Sequence, residues 1–91
     1  MSIEALPGGE LIREGLDDLA AGRESAPALL VAVGAPRLRR LGLQIPSLPF
    51  DCAEHRLYEL LARTHADSAH SRYNALIRRL VSFERACECG G

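Results

Sequence analysis

The chain has 91 residues, 11 basic and 12 acidic side chains and a formal charge of −1, and 47% of its residues are hydrophobic. That length holds one domain rather than two, and the composition excludes a disordered chain and the global positive charge of a nucleic-acid binder. A chain of this size buries roughly 60–65% of the surface its unfolded form exposes, enough for one modest core and too little for a deep substrate cavity.

The first predicted element follows the turn at Pro7-Gly8-Gly9. From Glu10 to Ala21, Ile12, Leu16 and Leu19 recur on one helical face while Glu10, Glu14, Asp17 and Asp18 cover much of the rest. Gly22 ends this helix. Ser25 is an N-cap and Pro27 falls in the first turn, where its missing N–H costs nothing. Ala28 to Val33 is apolar all round, so a short, central, buried second helix is expected there, stopped by Gly34. Pro36 opens a third short helix to Leu41, closed by Gly42, with Leu38 and Leu41 inward and Arg37, Arg39 and Arg40 outward.

Pro46 and Pro49 exclude a regular helix between Leu43 and Phe50, and Ile45, Leu48 and Phe50 are expected to pin that segment across the core. Asp51 with Glu54 reads as a capping box for a fourth helix from Cys52 to Thr64. Its apolar face is Leu57, Leu60 and Leu61, with Glu59 and Arg63 spaced to pair outside. Asp67 or Ser68 caps the last helix, which runs to Cys87 on a core stripe of Tyr73, Leu76, Leu80, Phe83 and Cys87, widened by Ile77. The short link before it implies an antiparallel hairpin. The expected fold is therefore all-α: a small bundle of four to five helices with a C-terminal antiparallel helical hairpin. It forms a single domain over 1–91, with 1–8 and 88–91 as flexible ends.

The chemistry-bearing side chains are few. Every basic side chain is Arg, which fits either a GC-rich coding bias or selection for bidentate contacts to phosphate or carboxylate. Residues 1–25 carry six acids and two Arg, residues 26–50 only Arg37, Arg39 and Arg40, and residues 51–91 six of each sign. An acidic first helix and a basic middle segment are thus able to pair within one chain or between two. Arg72, Arg78, Arg79 and Arg85 form two stripes on the last helix, each pair seven residues apart. Together with Arg37, Arg39 and Arg40 they are the expected interaction surface.

The two short middle helices resemble a helix–turn–helix only in outline. Arg37, Arg39 and Arg40 would then reach phosphates and guanine edges. Cys52, His55, Cys87 and Cys89 offer donors for a tetrahedral zinc site, a weak candidate because Cys87 overshoots the hairpin register by roughly 9 Å. His65, Asp67, Ser68, His70 and Ser71 crowd one turn, but Asp67 and Ser68 serve as caps and no oxyanion hole or nucleophile elbow accompanies them. Neither an enzyme nor a cofactor is expected. Three cysteines in no framework spacing, no apolar run long enough for a bilayer and no signal-like start point to a cytoplasmic chain without a membrane contact. The leading expectation is a small interaction or regulatory module with a protein partner or a second copy of itself; nucleic acid is the alternative.

Overall fold

The computed structural model describes residues 3–46, 48 and 51–90. A 3₁₀ turn at Ile3–Ala5 precedes four α-helices: α1 (Gly9–Ala20), α2 (Ala26–Arg40), α3 (Ala53–Thr64) and α4 (Ala69–Gly90), with no strand among the described residues. The radius of gyration is 12.6 Å, close to the ~12 Å of a compact domain of this length. The chain is thus a small all-helical bundle, and no helix among the described residues is long and apolar enough to cross a membrane. Ile3–Ala5 packs on α1, and α4 continues to Gly90.

α2 is the hub. It packs against α1, α3 and α4, and Leu29, Leu30, Val31, Ala35 and Leu38 are fully buried. Ser25 caps it as expected, its hydroxyl accepting from the Ala28 N–H at 3.2 Å. The expectation of two short helices broken at Gly34 is corrected. One helix of 15 residues runs through Gly34 and encloses Pro36. A proline inside a helix costs about 3 kcal/mol, but each fully buried Leu or Val contributes about 1.5–3 kcal/mol. The four such residues on α2 outweigh the lost Pro36 N–H bond. Gly34 marks a close approach instead of a stop. A Cβ there would lie 2.8 Å from Leu80 Cδ1 and 3.2 Å from Glu84 Oε2 of α4.

The C-terminal ends of α1 and α2 obey ordinary capping. α1 closes with Arg23 N–H on Asp18 O and Gly22 N–H on Leu19 O, and α2 closes with the same two bonds at Leu43 and Gly42. The start of α3 departs from expectation. The residue before its first turn is Cys52, in the left-handed region at φ 52°, ψ 52°, and no side chain caps the helix. The left-handed residue displaces Asp51 from the capping position, and Asp51 is exposed. Ile45 is buried and Leu48 half-buried, as the connecting segment requires, while Phe50 lies outside the described residues. A four-residue link then turns α3 back on α4. Tyr58 and Tyr73 meet edge to face across this hairpin, with centroids 5.7 Å apart. Leu80 and Phe83 of the predicted α4 stripe are buried, and Tyr73, Leu76, Ile77 and Cys87 pack around them.

Candidate interaction surface

α4 presents two flanks with opposite electrostatics. On the flank facing α2, Glu84 is only 5% exposed. Arg37 Nη1 stands 3.7 Å from its Oε1, and Arg37 Nη2 donates to Glu88. Burial pushes the Glu84 carboxyl above its ordinary range; Arg37 opposes this and Glu88 adds to it. The bond to Glu88 raises the Arg37 guanidinium further above neutrality. Cys87 sits on the same helix, half-buried, its thiol raised first by burial and then by Glu84.

The flank facing α1 is different. Leu11 of α1, Ala26 and Pro27 of α2, Leu61 and His65 of α3, and Leu76 of α4 line a cleft of about 370 Å³. Arg72, Ala75 and Arg79 complete its α4 side. The Arg72 Nε–H donates to Ser68 Oγ at 3.0 Å. Neither Arg72 nor Arg79 makes an ion pair among the described residues, and both are exposed. Helical geometry sets Arg78 and Arg85 further round, toward solvent, and both are exposed.

The seven arginines expected to act together are therefore split. Arg37 is tied to Glu84 and Glu88. Arg39 Nη2 donates to the carbonyl oxygens of Ile45 and Pro46 at 3.4 and 3.0 Å, which stitches the connecting segment to α2. Arg40 is exposed without an ion pair among the described residues. The helix–turn–helix outline dissolves with the continuous α2, since no turn separates two helices at Gly34.

Among the described residues, no acid of α1 makes an ion pair with an arginine of α4. Arg13 bridges Glu4 and Asp17, each at 3.8 Å, and Arg23 holds Asp18 at 2.8 Å. Asp18 also accepts from the Ser25 hydroxyl at 2.5 Å, and these bonds, Ser25 first, hold its carboxyl below the usual range. Glu24 accepts from Arg56 Nη2 at 3.0 Å, joining the α1–α2 link to α3. Glu59 is taken by His55 Nε2 at 2.7 Å rather than by Arg63 as expected, because one turn upstream serves as well as one turn downstream.

No group of three or more His, Cys, Asp or Glu side chains is arranged to hold a metal ion among the described residues. Cys52 is exposed at the head of α3, His55 is committed to Glu59, and Cys87 and Cys89 lie near the far end of α4. In the turn before α4, the Ser68 N–H bonds to His65 O and the His70 ring contacts Asn74 at 3.2 Å; among the described residues no hydrogen bond links Ser68, His70 and Asp67.

Two features of the surface escaped sequence reasoning. Glu84 had a signal: Tyr73, Ile77, Leu80, Glu84 and Cys87 follow a 4-3-4-3 spacing, so Glu84 stands in the core stripe. The cleft had none, because four separate helices build it. Together they define a small all-helical bundle with an ion-paired seam along one flank of α4 and an open cleft edged by Arg72 and Arg79 along the other. Neither a protein-family model, nor a curated protein, nor a solved structure matches this chain.

Proposed function

We propose that the chain is a small, non-catalytic protein-interaction or regulatory module of the cytoplasm, which meets a protein partner through the arginine-bearing side of α4. The observation that carries this reading is the cleft, where an apolar floor and two guanidinium groups meet at the surface. Apolar contact supplies affinity and the charges supply orientation and on-rate, the usual division at transient interfaces. Association of two copies has less to support it. Tyr58, at 39% exposure, is the one exposed large hydrophobic side chain among the described residues, so no broad apolar face offers itself for a symmetric dimer.

Affinity capture from the native cell tests the reading. Wild-type chain is compared with a folded Arg72→Glu, Arg78→Glu, Arg79→Glu, Arg85→Glu variant. The expected result is protein retained by the wild type and lost from the variant. Retention of DNA or RNA at about 50 mM salt, falling steeply as salt rises, would instead establish the nucleic-acid alternative.

A further inference from the structure

The geometry points to one occupant of the cleft between α1 and α4: an apolar side chain on an acidic, helical segment of a partner protein. Two carboxylates of that segment pair with Arg72 and Arg79. This rests on the protein-partner reading above and specifies its chemistry.

The spacing carries the argument. Arg72 and Arg79 are two helical turns apart, about 10.5 Å along the axis. Leu76 lies between them, four residues from one and three from the other, and forms part of the apolar floor with Leu11 and Leu61. A partner helix with carboxylates at i and i+7 has the same rise. Its residues at i+3 and i+4 then fall over Leu76, which is the helix-in-groove mode of recognition. The volume of about 370 Å³ is at the small end of the roughly 300–1,000 Å³ typical of small-molecule pockets. It suits one or two inserted side chains better than a whole ligand. The start of α2 at Ala26 and Pro27 opens on the same cleft, and the helix dipole adds positive character there.

A second copy of the chain fits poorly. The outward face of α1 offers Glu10, Glu14 and Asp17, and Glu10 and Asp17 are seven apart, but no large apolar side chain stands between them on that face. Ile12 of α1 is fully buried in its own core. Tyr58 is engaged with Tyr73, and no pair of carboxylates seven residues apart brackets it. The matching pattern of two acids around an exposed leucine must come from another protein.

The probe is a synthetic, alanine-based helical peptide of about 18 residues, with Glu at i and i+7 and Leu at i+3 and i+4. Binding to the full chain is followed by amide chemical shifts and by fluorescence anisotropy at about 50 mM salt, where surface charges are weakly screened. Shifts are expected at Leu11, Leu61, Arg72, Leu76 and Arg79. Replacing both peptide leucines by Ala should weaken binding about ten-fold or more. Arg72→Glu with Arg79→Glu should abolish it, whereas Arg78→Glu with Arg85→Glu should change it by less than about five-fold. Ala75→Phe fills the cleft from an exposed position without disturbing the core, and should also abolish binding.

Equal affinity for the Leu and Ala peptides, or equal loss from the two arginine pairs, overturns the cleft as the site while the acidic-partner reading stands. Protection of the cleft by a dimer without peptide overturns it in favour of a second copy. Failure of every acidic peptide to bind the folded wild type overturns both this inference and the reading beneath it.

Discussion

The two flanks of α4 solve the same problem in opposite ways. Toward α2 the helix offers carboxylates, α2 answers with Arg37, and the ends of the Leu80 and Glu84 side chains close over Gly34, where an added Cβ would push them aside. Toward α1 the helix offers arginines, no carboxylate answers, and a cleft stays open. A small domain with one modest core has little reserve, and the open seam adds little to it. The contrast teaches that the position of an arginine on its helix says less than what stands opposite it. Arg37 and Arg79 both read as outward-facing in the sequence, yet one ties α2 to Glu84 and Glu88 and the other has no ion pair among the described residues.

Substitution at the closed seam should give the largest effect. Gly34→Leu drives side-chain atoms into Leu80 and Glu84 and is expected to cost about 1–3 kcal/mol, read as a lowered urea midpoint at unchanged slope. Arg37→Ala comes next. It strands the buried Glu84 carboxylate, so it should destabilise the fold more than Arg72→Ala or Arg79→Ala measured side by side. If all three cost the same, the contrast between the flanks fails.

Glu84→Gln sharpens the comparison through pH. Burial raises the native carboxyl above its unfolded value, which is near 4.3 for an ordinary Glu. The native state therefore keeps its proton to higher pH than the unfolded state. That contribution to stability is full below the unfolded pKa and is lost as pH rises through the raised native value. Relative to the variant, wild type should be most favoured at the acid end and lose ground toward neutrality. A difference that is flat with pH would show that Glu84 is not held in a desolvated seam. The smallest effect belongs to the open flank. Ala75→Leu should change stability by less than about 0.5 kcal/mol, because the cleft accepts the added atoms.

Most of the architecture was legible in the residues. Ile12, Leu57, Leu61, Leu80 and Phe83 sit where the helical period puts them, and Ser25 and Gly22 mark true ends. The misreadings share a cause. Gly34 and Pro36 are helix breakers by local propensity, yet packing from three neighbouring helices overrides them. Asp51 lost its capping role to a left-handed Cys52, a backbone choice that no side-chain pattern reports. On the surface, the arginines of α4 were visible as a group, but their division into cleft-lining and solvent-facing pairs depends on where α1 lies. Arg37 and Arg39 looked free because their partners, Glu88 and the carbonyls of Ile45 and Pro46, are supplied by the folded chain.

The seam at Gly34 also bears on the order of assembly. The other strong helix contacts join neighbours along the chain, whereas α2 and α4 meet across a gap, with Arg37 and Glu88 separated by 51 positions. Closing such a long loop is entropically slow compared with docking adjacent helices. The α2–α4 seam is then expected to be the last to zip and the first to part. A wedge at Gly34 should leave the refolding rate almost unchanged and appear in the unfolding limb of a chevron plot, where a loss of about 2 kcal/mol means roughly 30-fold faster unfolding. With that result, the lifetime of the folded chain is set at the junction of its second and fourth helices.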